Sequence, residues 1–188
     1  MSVTIRQPDN ILDSCIFDLL DSLLNGKYKV IVRPHPQYVR HNAERLDDIR
    51  KKYADKADFE LQTDFSSNST VFNADILMTD WSGIAFEYSF TTLKPCLYVN
   101  TPMKIMNPDY KEIDVIPFDI EVRDSMGISI EVDEAKNVSE AVERLLSDKE
   151  YDKDSMLKMR EKYLYNVGCS AEVGAKYIIR RLIEMSKR

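Results

Sequence analysis

The sequence predicts an α/β fold, a three-layer Rossmann-like sandwich built on a parallel sheet. Three observations carry that expectation. Short, uninterrupted apolar segments recur at 28–33, 58–61, 76–78 and 96–99, as in strands buried on both faces. Between several of them lie stretches whose apolar residues fall three and four apart, the spacing of amphipathic helices. The stretch ILMTDWSGIAFEY, residues 76–88, runs from an apolar strand through a polar turn into a helix-forming segment. That order is how open α/β sheets build a ligand crevice at the carboxyl ends of their strands.

Residues 1–8 hold one apolar alternation, Val3 and Ile5, a candidate first strand. Asp9 and Asn10 are plausible caps for a helix with apolar positions Ile11, Leu12, Cys15, Ile16, Leu19, Leu20, Leu23 and Leu24, ended by Asn25 and Gly26. The strand over 28–33 runs straight into Arg33-Pro34-His35-Pro36. A helix over 38–54 offers Leu46, Ile49 and Tyr53 to a core, and a short strand follows at 58–61. The polar cluster from Thr63 to Thr70 contains Ser66 and Ser67, and a brief helix over 71–74 leads to the central strand. After the helix that starts at Ile84 comes a strand over 96–99, then a connection over 100–124 containing Pro102, Pro108 and Pro117. A connection of that length in a compact domain often walls a ligand site. A strand at 128–132 and helices over 138–146, 149–165 and 171–185 complete the chain, with Gly168, Cys169 and Ser170 capping the last helix. No repeat or low-complexity linker interrupts this order, so residues 1–188 read as one domain.

Composition narrows the function. Across 188 residues, 44% are hydrophobic and 31% charged, the balance of an ordinary globular domain. A net charge of −6 argues against a nucleic-acid binder of the basic kind. No apolar run approaches the ~20 residues that span a bilayer, and no signal peptide opens the chain. Three widely spaced cysteines suit reduced thiols and a cytoplasmic location rather than a disulfide framework. With His35 and His41 the only histidines, no metal-ligating set is legible. Neither GxGxxG nor GxxxxGK[ST] occurs, which disfavours the common dinucleotide fold and the P-loop.

Three loops follow strands and belong on one sheet edge: 33–36, 63–70 and 79–83. Their donors suit a phosphorylated ligand. A helix start at Ser82 and Gly83 presents free N–H groups and a positive dipole end to a phosphate. Gly83 removes a Cβ that would hold the phosphate away, Ser82 adds a hydroxyl, and Glu87 one turn on can accept from ribose hydroxyls. The same residues also fit an ordinary helix, with Thr79, Asp80 or Ser82 as its cap and Glu87 solvated. His35, stiffened by two prolines, suits an acid, a base or a phosphate donor, or a ring bonded to loop carbonyls. Arg33 suits bidentate phosphate binding or a salt bridge at a strand end. Trp81 fits base stacking or packing.

Together, RPHP at 33–36 and TDWSGIAFEY at 79–88, about forty-five residues apart, resemble the CDP-glycerol glycerophosphotransferase family of teichoic-acid polymerases. The intervening FELQTDFSSNSTVFNADILMTD and the following LKPCLYVNTP are also similar, and the likeness spans about residues 7–174. The family's second motif is typically S/T-D-Y-S-S, an apolar pair and an acidic residue. Here Trp81 stands for the tyrosine, Gly83 for the second serine and Glu87 for the aspartate. The resemblance implies a GT-B architecture of two facing Rossmann-like domains, of which this chain matches the C-terminal, nucleotide-binding one. A preceding acceptor domain is therefore expected in the parent enzyme.

The resemblance further implies transfer of glycerol phosphate from CDP-glycerol to a lipid-linked or polymer hydroxyl, at the inner membrane face in the full-length protein and without a cofactor. Residue by residue, His35 matches the family's important histidine and Asp80 the motif acid. Ser82 and Gly83 match the diphosphate-binding helix start, and Ser66 and Ser67 the polar loop before the motif strand. Glu87 resembles the ribose-binding acid of sugar-nucleotide 2-epimerases. Gly168-Cys169-Ser170 stands where the family has a Gly-x-Ala/Ser turn, which would bring Ser170 to a phosphate. Arg33 and Thr79 flank these positions as further ligand contacts. Rival expectations are a GT-B domain using a UDP- or CMP-sugar, a non-catalytic nucleotide-binding module, and a receiver-like domain, the last lacking the acidic cluster and switch lysine.

Overall fold

A computed structural model describes residues 10–25, 27–103, 107–148 and 151–186. The candidate strand at Val3 and Ile5, the stop at Gly26 and the start of the helix expected from 149 lie outside these residues. The architecture is α/β, as expected, with eleven α-helices and five parallel strands among the described residues.

The first amphipathic stretch forms two helices, α1 (Ile11–Ser14) and α2 (Ile16–Leu23), rather than one. The Asn10 side chain accepts from Leu12 N and Asp13 N to start α1, and Cys15 leaves helical geometry at φ −143°. All eight apolar positions named from the sequence are buried. Next, β1 (Val30–Val32) leads into α3 (Pro36–His41) and α4 (Ala43–Lys52), so the helix expected over 38–54 starts two residues earlier and breaks at Asn42. Then come β2 (Phe59–Leu61), α5 (Ser69–Asn73), β3 (Leu77–Thr79), α6 (Ile84–Thr92) and β4 (Cys96–Asn100).

The long connection is not structureless. It holds a 3-10 turn, Pro108–Glu112, and two short helices, α7 (Phe118–Glu121) and α8 (Arg123–Met126). After β5 (Gly127–Glu131) and a second 3-10 turn, Val132–Asn137, the chain closes with α9 (Val138–Ser147), α10 (Lys153–Tyr163) and α11 (Ser170–Ser186).

Among the described residues β1 pairs with β2, and β3, β4 and β5 form a three-stranded parallel set, consistent with the expected parallel-sheet sandwich. A crevice of about 510 Å³ has Val30 and Ile31 of β1 and Leu77 and Met78 of β3 among its lining residues.

Helices cover both faces. Along β4, Leu97 and Val99 point into a core with α2, α4 and α9, whereas Cys96 and Tyr98 join Leu77, Ala85 and Tyr88 under α6. The larger core also takes Val30 and Val32 from β1 and Met78 from β3, so side-chain packing ties the two sets of strands together. A third cluster, Phe90, Val122, Met126 and Met156, fixes α8 and α10 beneath α6. Gly127 is required where β5 meets β4, because a Cβ there would lie 1.7 Å from the carbonyl oxygen of Cys96. Among the described residues no helix is long and apolar enough to cross a membrane.

Candidate functional site

A second cavity of about 220 Å³ lies at the carboxyl end of β1, lined by residues of the 33–36 loop, Phe65, Asn68, Val71, Leu77 and Ile84. Its first wall follows from the RPHP motif. Pro34 and Pro36 restrict the backbone on either side of His35, which adopts the extended φ −64°, ψ 145° favoured before proline. Pro36 then takes the first position of α3, where a missing N–H costs nothing.

His35 is thereby the cap of α3, a role the sequence reading omitted. Its Nδ1 accepts from Gln37 N at 3.2 Å. With Nδ1 an acceptor, the neutral ring carries its proton on Nε2 and is a donor on that side. Partial burial holds the imidazole pKa below its ordinary value and favours this neutral form.

Arg33, at the end of β1, is only 9% exposed. Its guanidinium donates to Asn68 Oδ1 at 2.9 Å and Thr70 Oγ1 at 3.5 Å, and lies 5.5 Å from the centre of the Phe65 ring. Of the two readings of Arg33, the salt bridge is not formed among the described residues: its hydrogen-bond acceptors are neutral. A buried cation held by neutral groups retains its attraction for an anion.

The Ser66 hydroxyl and amide both donate to Asp64, and the Ser67 and Ser69 hydroxyls bond one another. The two bonds from Ser66, with Arg33 nearby, lower the Asp64 pKa. Both serines predicted to touch ligand are thus exposed and shape their own loop, presenting Asn68 and Phe65 to the cavity.

The TDWSG turn leads into Ile84, which lines the cavity, while residues 79–83 are not among its lining. Thr79 ends β3 and is fully buried, and Asp80 is 1% exposed, so the motif acid lies beneath the site rather than on its surface. Trp81 donates from Nε1 to Thr101 O at 2.7 Å and stacks on Arg123, which favours packing over base stacking. Gly83 stands at the N-cap of α6 in right-handed geometry, and no side chain caps this helix. The ordinary capping role considered for Thr79, Asp80 and Ser82 is therefore not taken.

Ala85 N and Phe86 N bond back to Ser82 O and Gly83 O. Among the described residues, Gly83 N and Ile84 N find no acceptor, leaving donors and the positive end of a nine-residue helix open. A Cβ on Gly83 would meet no protein atom within 4 Å, so neither backbone nor packing demands glycine there. Glu87 is exposed on the first turn of the same helix. Ser170 opens α11, none of whose residues is buried, and lines neither cavity.

Four residues at this edge were not singled out as site residues from the sequence. Phe65, Asn68 and Thr70 frame Arg33, and Arg123 braces Trp81 from a position 43 residues after Asp80. The first three sit within the polar cluster that the sequence marked; nothing local marks Arg123.

Arg33, His35 and Ile84, the first residue of α6, line one cavity, so a guanidinium, an imidazole and an uncapped helix start lie close together. Neither the curated proteins nor the solved structures yield a match to the chain. The family model described as CDP-glycerol:poly(glycerophosphate) glycerophosphotransferase matches residues 15–172, a span that contains every element from α2 to α10. The chain belongs to that transferase family.

Proposed function

We propose that this chain is a single nucleotide-binding domain, the C-terminal half of a GT-B enzyme, that holds CDP-glycerol for transfer of glycerol phosphate to a lipid-linked or polymer hydroxyl in teichoic-acid-type synthesis. The observation that carries the reading is the uncapped start of α6, whose Ile84 lines one cavity with Arg33 and His35. A diphosphate placed there accepts from Gly83 N and Ile84 N, from the Ser82 hydroxyl and from His35 Nε2. Arg33 adds positive charge from behind, and Glu87 receives the ribose hydroxyls.

In the reaction the acceptor hydroxyl attacks the β-phosphorus, the bond to CMP breaks, and the hydroxyl proton is lost as the phosphodiester forms. Charge grows on the bridging and equatorial oxygens, where preorganised donors stabilise it most. His35 stabilises that charge by donating from Nε2 in its neutral form, or protonates the departing CMP from its imidazolium form. Asp80 acts from below by fixing the turn.

Calorimetric titration with CDP-glycerol, CDP and UDP tests the reading. Cytidine ligands should bind in preference to UDP, and Ser82→Ala should weaken them. Equal or tighter binding of UDP, or no binding at millimolar CDP-glycerol, would overturn it.

A further inference from the structure

Arg123 lies in α8, outside both sequence motifs, yet it contacts the motif turn directly. The residue is 6% exposed, and its guanidinium lies against two rings, 4.0 Å from the centre of Trp81 and 4.3 Å from that of Tyr98. Nη1 donates to the main-chain oxygen of Asp80 at 3.2 Å, and Nη2 to Asn100 Oδ1 at 2.9 Å. Asn100 is itself held, since its Nδ2 donates to Glu131 Oε1 at 2.6 Å. Trp81 is fixed from its far side by the 2.7 Å bond to Thr101 O. β3, β4, β5 and the long connection therefore converge on one planar group.

We infer that Arg123 is a positioning residue for the nucleotide site, setting the direction in which the Gly83 and Ile84 amides point by clamping the Asp80 carbonyl and the Trp81 ring. The inference rests on the nucleotide-binding reading of α6. The bonds to Asp80 O from Arg123 and to Thr101 O from Trp81 hold the turn immediately before α6. A guanidinium suits this task because it is flat, forks two hydrogen bonds in one plane and stacks on both faces. Lysine keeps the charge but supplies neither the fork nor the stacked plane.

Trp81 is the chain's sole tryptophan, so its emission reads the clamp directly. The experiment compares wild type with Arg123→Lys by tryptophan emission, acrylamide quenching and CDP-glycerol titration, all well below the melting temperature. Arg123→Lys should keep the far-UV circular dichroism of the wild type, shift Trp81 emission to the red, make it more quenchable, and weaken CDP-glycerol about ten-fold. Should that variant fail to fold, Asn100→Ser loosens the guanidinium without removing it and should weaken binding about three-fold with the same direction of emission change.

A merely structural arginine would lower the melting temperature yet leave the folded protein's affinity at the wild-type value, and that result overturns the inference. Unchanged Trp81 emission and quenching in Arg123→Lys overturn it as well. If the wild type itself binds no CDP-glycerol, the nucleotide reading fails. Emission and quenching then still decide whether Arg123 holds the turn.

Discussion

Replacing His35 separates its two roles, because one ring nitrogen caps a helix and the other faces the cavity. In His35→Ala both are lost. Nδ1 no longer accepts from Gln37 N, and loss of such a cap costs about 1 kcal/mol. For a chain of this size that lowers the melting temperature by about 2–4 °C. In His35→Asn the side-chain oxygen can take over the Gln37 amide, so the melting temperature should stay within about 1 °C of wild type. What asparagine cannot place is the donor at Nε2. A hydrogen bond to a charged acceptor contributes about 1.5–3 kcal/mol, so CDP-glycerol should bind roughly ten- to a hundred-fold more weakly to both variants. Thermal unfolding followed by circular dichroism gives the first quantity and calorimetric titration the second. Wild-type affinity in His35→Asn would refute the argument and leave His35 as a helix cap alone.

Three further outcomes follow from the geometry. Gly83→Ala has φ −61° and open space around its new Cβ, so stability should change by less than about 1 kcal/mol, while CDP-glycerol affinity drops because the methyl crowds the open amides; unaltered affinity would place the diphosphate elsewhere. Gly127→Ala puts a methyl against the Cys96 carbonyl, a rigid backbone atom, and should destabilise by about 3 kcal/mol in chemical denaturation; a change below about 1 kcal/mol would show that β5 shifts freely along β4. Burial lowers the His35 pKa in the folded state, so its contribution to stability is fully present above the unfolded value of about 6.5 and is lost as pH falls through the folded value. A bound diphosphate diester favours the imidazolium, so CDP-glycerol binding near pH 6 should take up protons, measurable as a buffer-dependent binding enthalpy that disappears in His35→Asn.

Elements whose burial repeats along the chain were legible in the sequence. The apolar positions of α1 and α2, the core side of α4 at Leu46, Ile49 and Tyr53, and the strand–turn–helix at 76–88 stand where periodicity put them. The uncapped start of α6 was foreseen as one of two readings, because a small-residue turn before an apolar helix suits capping and anion binding equally. What the sequence hid depends on contacts between distant segments. The clamp on Trp81 comes from a proline-rich connection with no periodicity to read. The cap made by His35 was missed for a different reason. Histidine is not among the usual capping residues, and Pro36 was taken as a loop residue rather than the first residue of α3.

The shared core gives the site a mechanical basis. His35 and Arg33 follow β1, and the Gly83 and Ile84 amides follow β3. Side-chain packing of Val32, Met78 and Leu97 in one core joins the strands that carry them. Close-packed interiors respond to a change of even one methylene, so the spacing of these groups is a tunable dimension of this protein. Volume changes at Met78, out of reach of any ligand, would resize it and alter which phosphate ester fits, with every residue that touches the ligand left in place.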